Sequence, residues 1–138
     1  MTTVDLGTLA EKAKARGRPF RILIVDDEPW VREIFHDFCT LTEAFSVEMA
    51  AGGAEAVEKV RTNGYDLITL DLIMPDMSGL DALSEIKRAS PRVPIIVITG
   101  NATDKLVNRA GVLGACKVMY KPIQLSDFIA ELSSTLTR

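Results

Sequence analysis

Short, mostly apolar runs alternate five times along this chain with longer segments whose apolar residues recur at helical spacing. The runs lie at residues 21–25, 45–49, 65–70, 95–98 and 116–120. A run that is apolar throughout, bounded by turn residues, reads as a strand buried on both faces. Between the runs, Val31, Ile34, Phe35, Phe38 and Leu41 mark a helix over 29–41. Ala54, Ala56, Val57 and Val60 mark a second, opened by Gly52-Gly53 and closed by Asn63-Gly64. Leu80, Leu83 and Ile86 mark a third, residues 103–112 a fourth, and 125–136 a closing helix with Phe128, Ile129, Leu132 and Leu136 on one face. Strands alternating with helices predict an α/β fold, a doubly wound five-stranded parallel sheet with right-handed crossovers on both faces.

The first nineteen residues stand outside this alternation and read as an extension, with the domain proper over 20–138. Thr8 and Glu11 have capping-box spacing, so a short helix over 9–16 is expected, ended by Gly17 and Pro19. The spacing alone favours a frayed, solvated helix; the alternative is a homodimer or partner contact through Leu6, Leu9 and Ala13.

At 138 residues the chain can bury a core without disulfides, and its net charge of −3 offers no basic face for nucleic acid or an anionic membrane. Cys39 and Cys116 lack any C-x-x-C spacing and read as two buried thiols. No apolar run approaches the roughly 20 residues that span a bilayer. Lys12, Lys14, Arg16 and Arg18 follow the weakly apolar start, the reverse of a signal peptide, so a cytoplasmic location is expected. As given, the chain is expected to be a stand-alone unit or the excised front of a larger protein.

Four of the runs finish in chemically useful side chains: Asp26-Asp27, Asp71, Thr99 and Lys121. In an open α/β sheet, sites form outside the carboxyl ends of the strands, so these residues are expected to converge. Three aspartates together would repel one another, and a hard dication such as Mg²⁺ relieves that; no histidine or thiolate is present to favour zinc. A carboxylate attacks a phosphoryl group poorly because both are anionic. Mg²⁺, the Lys121 ammonium and the Thr99 hydroxyl would neutralise that charge, leaving Asp71 as the nucleophile. Glu28 is accounted for by the dipole of the helix it precedes.

Ile22-Leu23-Ile24-Val25-Asp26-Asp27-Glu28, Leu70-Asp71-Leu72-Ile73-Met74-Pro75-Asp76-Met77-Ser78-Gly79, Ile95-Ile96-Val97-Ile98-Thr99-Gly100 and Tyr120-Lys121-Pro122 together resemble the receiver domain of two-component response regulators, of the stand-alone chemotaxis-regulator type. The resemblance covers residues 20–138 and implies a flavodoxin-like strand order 2-1-3-4-5. It implies direct Mg²⁺ contacts from Asp27, Asp71 and the Ile73 carbonyl, with Asp26 acting through water. It implies a cis Lys121–Pro122 bond and a phosphohistidine donor on a sensor histidine kinase or histidine phosphotransfer protein. Such a domain is a signalling phosphoacceptor, not an enzyme. Its phosphorylation would draw Thr99 inward and switch the surface built from the fourth crossover helix, the fifth strand and the closing helix, where an output partner binds. Asn101 and Ile73 would set how long the phosphoryl group survives.

The chain departs from that pattern at Val118, where an aromatic residue is usual three positions before the lysine, and at Ile123, where phenylalanine is common. Tyr120 should point away from Lys121, because neighbours on a strand alternate. Trp30 is expected at the rim of the site, His36 on a solvated helix face, and Gly52-Gly53 in a turn without a phosphate-loop lysine. A flavodoxin-like cofactor binder would need a Ser/Thr/Gly loop after the first strand. A haloacid dehalogenase-type phosphatase would need a second aspartate two residues beyond Asp71, where Ile73 stands. The remaining alternative is a receiver-like docking module that works without phosphorylation. Direct DNA binding is not expected without a basic recognition helix.

Overall fold

The runs pair side by side as parallel strands, and the three central ones are buried on both faces, while the two edge strands are partly exposed. In the computed structural model, which describes residues 6–137, they are β1 (Phe20–Val25), β2 (Phe45–Ala50), β3 (Leu67–Leu70), β4 (Ile95–Thr99) and β5 (Lys117–Tyr120). The helices are α1 (Leu6–Arg16), α2 (Pro29–Cys39), α3 (Gly53–Thr62), α4 (Gly79–Ala89), α5 (Asp104–Val112) and α6 (Leu125–Leu136). The sheet order is β2-β1-β3-β4-β5, with every adjacent pair parallel. This is the doubly wound arrangement that the alternation predicts.

Strand alternation divides the core in two. Ile22, Ile24, Ile96 and Ile98 face one cluster with Val31, Phe35 and Phe128, under α1, α2 and α6. Leu23, Val25, Ile95 and Val97 face the other with Val57, Leu83 and Ile86, under α3 and α4. The Phe35 and Phe128 rings stack at 4.7 Å, joining α2 to α6.

The inner face of α2 differs from the periodic reading. Ile34 and Leu41 are exposed, and Cys39 takes the buried place beside Val31 and Phe35. The helix ends at Cys39, so Leu41 falls in the following turn. Cys116 is exposed rather than buried, because it precedes β5 at the sheet's edge. Burial pushes the Cys39 thiol up to about 12, which leaves it unreactive.

The N-terminal helix is packed, not frayed. Leu9 is fully buried and Ala13 nearly so, in the same cluster as Phe128 and Leu132 of α6. Arg16 lies 4.4 Å over the Phe20 ring and reaches Asp66 Oδ1 at 3.0 Å, while Asp66 Oδ2 accepts from the Arg21 backbone N–H at 2.8 Å. Leu9 and Ala13 are thus spent on the chain's own core, and no dimer contact runs through them; the Leu6 side chain lies outside the described residues. Leu9→Ala should cost about 2–5 kcal/mol, the range for emptying a buried leucine site. Urea unfolding measures it, and a loss under about 0.5 kcal/mol, the scale of surface substitutions, would mean the helix is dispensable.

Candidate phosphoacceptor site

Each polar strand end is fixed by the sheet itself. The Asp26 N–H donates to the Ala50 carbonyl at 3.2 Å, and the Asp71 N–H donates to the Val25 carbonyl at 3.1 Å. The parallel ladder therefore extends one residue past β1 and β3 and holds both aspartates at the sheet's carboxyl edge. The Lys121 N–H donates to the Thr99 carbonyl at 2.9 Å, so the ends of β4 and β5 are joined in the same way. The Lys121–Pro122 bond is cis.

Lys121 is the centre of the cluster. Its ammonium lies 2.7 Å from Asp26 Oδ2, 3.0 Å from Asp71 Oδ2 and 3.6 Å from Glu28 Oε1. The remaining aspartyl oxygens are used by the backbone: Asp26 Oδ1 accepts from the Glu28 N–H at 3.0 Å, and Asp71 Oδ1 from the Ile73 N–H at 3.1 Å. Arg32 donates to the Asp26 carbonyl at 2.7 Å. Asp26, Asp27, Glu28 and Asp71 each place a carboxylate oxygen within 4.8 Å of the others.

Four carboxylates thus face one ammonium. Burial is the largest influence on Asp26 and pushes its carboxyl up; the Lys121 contact and the Glu28 N–H oppose this without overcoming it. Burial alone would pull Lys121 down, but its bonds to Asp26 and Asp71 outweigh that and hold the ammonium above its ordinary range. Lys121 thus stays charged. Such a set of hard oxygen donors fits a magnesium-sized dication.

Thr99 ends β4 with its hydroxyl buried and without a hydrogen-bond partner among the described residues. Buried hydroxyls are almost always satisfied, so this hydroxyl, like that of Thr135 on α6, calls for a water or ligand oxygen as its partner. Ile73 is 52% exposed, on the loop after Asp71. Trp30, at 59% exposure, sits on the first turn of α2 at the rim and donates from Nε1 to Glu28 Oε2 at 2.8 Å. His36 is half-buried on α2 and stands outside the cluster.

Sequence reasoning brought Asp26, Asp27, Asp71 and Lys121 together, and the distances agree. It missed Glu28. The helix-dipole argument left that carboxylate at the N-terminus of α2, yet from this N-cap position its side chain also reaches Lys121, with Oε1 at 3.6 Å from the ammonium. A third consecutive acid after the strand was the available signal.

Residues 22–133 match the family model described as the response regulator receiver domain. The chain belongs to that family. This receiver domain is 35% identical to the chemotaxis protein CheY of Bacillus subtilis over 116 residues, covering 84% of the chain and 97% of CheY. It is 34% identical to the transcriptional regulatory protein TrcR of Mycobacterium tuberculosis over 135 residues, covering 96% of the chain but only 51% of TrcR. The chain therefore spans about half the length of that transcriptional regulator and nearly all of the chemotaxis protein. Among solved structures, a CheY-like receiver domain from Methanospirillum hungatei superposes with a TM-score of 0.83 at 27% identity, over 86% of the chain and 94% of that protein. The CheX–CheY–BeF₃–Mg²⁺ complex from Borrelia burgdorferi gives a TM-score of 0.83 at 30% identity, over 91% of the chain and 95% of its own. These relatives place the receiver domain in two-component signalling and support its flavodoxin-like fold.

Proposed function

We propose that this receiver domain accepts a phosphoryl group on Asp71 from a phosphohistidine of a sensor histidine kinase or phosphotransfer protein. The observation that carries the reading is the Lys121 ammonium held between Asp26 and Asp71 at 2.7 and 3.0 Å, inside a cluster with more acids than one lysine can neutralise. Asp27, Asp71 and the Ile73 carbonyl would hold Mg²⁺, with Asp26 acting through water. When bound, the ion supplies positive charge to the acids and to the incoming phosphoryl oxygens.

An Asp71 carboxylate oxygen attacks phosphorus in line with the leaving imidazole nitrogen. The P–O bond forms as the P–N bond breaks, and the imidazole keeps the electron pair and takes a proton. Lys121 then transfers part of its attraction from Asp71 to a phosphoryl oxygen. The Thr99 hydroxyl donates to another, which satisfies the group that is orphaned in the unphosphorylated protein. Movement of Thr99 would alter the α5–β5–α6 surface offered to an output partner. Val118, half-buried against the α3–α5 side of the core, gives that surface no aromatic rotor at its position.

No helix among the described residues is long and apolar enough to cross a membrane, and the donor chemistry belongs to the cytoplasm, where we place the protein.

Titration with Mg²⁺ tests the site. Trp30 is hydrogen-bonded to Glu28 of the acidic cluster, so its emission should change saturably, and chelation should reverse the change. The melting temperature should rise with Mg²⁺, because a ligand that binds only the folded state stabilises it. Neither response at millimolar Mg²⁺ would remove the metal from the account. Once the domain is phosphorylated, Asn101→Ala and Ile73→Ala should change the lifetime of the acyl phosphate. Unchanged lifetimes in both would show that neither residue governs the approach of water.

A further inference from the structure

The helix after β2 lacks a cap of its own. Gly52 occupies the position before α3 and has no side chain to offer the first turn's N–H groups. The cap comes instead from more than twenty residues along the chain. Asp76 Oδ1 accepts from the Gly53 N–H and Asp76 Oδ2 from the Ala54 N–H, each at 3.2 Å. The carboxylate also fills the space a local cap would use: a Cβ on Gly52 would come within 2.7 Å of both Asp76 oxygens. An anionic group on two first-turn helix N–H groups is favoured both by its hydrogen bonds and by the helix dipole.

Asp76 lies on the loop between Asp71 and α4. The base of that loop is closed by the Gly79 N–H, which donates to the Leu72 carbonyl at 3.2 Å. Its other end is attached to the phosphoacceptor, through the Ile73 N–H on Asp71 Oδ1. Without Asp76, residues 73–77 would be fixed at the base and by Met74 and Met77, which pack against the α3–α4 side of the core, with no polar tether at the exposed apex between them.

We infer that Asp76 is a positioning residue: by docking on the N-terminus of α3 it tethers the apex of the Asp71–Gly79 loop and holds the Ile73 carbonyl in place for the metal. The inference rests on the reading of the site as a Mg²⁺-dependent phosphoacceptor. Groups that orient metal ligands from behind commonly change metal affinity by tenfold or more when removed. The acid does two things at once, capping α3 and restraining the loop, and the two can be separated. With Asp76 gone, position 52 has room for a side chain, and its backbone is extended (φ −167°), a conformation any residue adopts. Asparagine there would cap α3 locally and leave the loop untethered.

The experiment compares the unaltered chain, Asp76→Ala, the double variant Gly52→Asn/Asp76→Ala and Asp76→Asn. Melting temperature and Mg²⁺ affinity by calorimetry are both measured, the affinity well below every melting point. Asp76→Ala is expected to lower the melting temperature by a few degrees and the affinity about tenfold. The double variant should regain the melting temperature while its affinity stays low. Asp76→Asn keeps one acceptor oxygen and should fall between. Affinity recovering together with stability in the double variant would overturn the inference, leaving Asp76 as a cap alone. So would an unchanged affinity in Asp76→Ala, or an Asp76→Asn affinity as low as that of the alanine variant. Failure of the unaltered chain to bind Mg²⁺ would instead defeat the underlying reading of the site.

Discussion

Asp71→Asn protein incubated with Mg²⁺ and acetyl phosphate should keep its unmodified mass, while the unaltered chain gains a single adduct of about 80 Da, one phosphoryl group on one acyl-phosphate site. The substitution is nearly isosteric. Its amide oxygen can still accept from the Ile73 N–H, and Lys121 keeps its shorter contact with Asp26, so the fold and the loop should persist. What disappears is the anionic oxygen that must form the new bond. An amide is neutral and far less nucleophilic, so the expected loss is complete rather than partial. Circular dichroism identical to that of the unaltered chain would separate this chemical effect from unfolding. An adduct that survives would move the acceptor to another acid, with Asp27 and Glu28 nearest at hand in the cluster.

The second large effect is structural. Gly79→Ala should destabilise the chain by about 3 kcal/mol or more, the upper end of overpacking costs. Replacing a helical glycine by alanine ordinarily gains up to about 1 kcal/mol, so the sign itself is diagnostic. A Cβ at position 79 would stand 2.3 Å from Leu72 Cα and 2.5 Å from the Leu72 carbonyl oxygen. Both are backbone atoms of a buried residue, which no side-chain rotation can clear. The φ of Gly79 is not positive, so close approach alone requires glycine here, unlike Gly17 and Gly114. Any relief must push α4 away from Leu72, which adjoins Asp71, so Mg²⁺ affinity should fall along with stability. Urea unfolding gives the first number and calorimetry the second. A neutral or stabilising result would contradict the closure of this loop on Leu72.

The parts of the fold that were legible are those where one physical signal acts alone. A short apolar run that stops at Asp26, Asp71 or Thr99 reads as a buried strand ending at the sheet's edge, and parallel topology then brings those ends together. The closing helix was read at 125–136, and it spans Leu125–Leu136, because its apolar face has no competitor. The first helix of the domain was harder. Its apolar residues suit two overlapping faces, and the smaller Cys39 displaced Ile34 and Leu41 from the interior. The N-terminal helix offers only Leu6, Leu9 and Ala13 as a seam, too little to announce burial, although α6 has a matching surface at Phe128 and Leu132 for Leu9 and Ala13. Glu28 and Asp76 both act across the chain rather than along it. A carboxylate capping a helix more than twenty residues earlier leaves no local spacing to detect.

The central claim is tested most directly by locating the phosphoryl group. The unaltered chain is treated with Mg²⁺ and acetyl phosphate, reduced with borohydride, and mapped by peptide mass spectrometry. Reduction cleaves an aspartyl phosphate to homoserine and leaves free carboxylates untouched. Homoserine is expected at position 71 and nowhere else, with none formed when Mg²⁺ is chelated. Homoserine at another position, or a peptide spanning Asp71 that stays unreduced while the intact protein carries the adduct, would contradict the central claim.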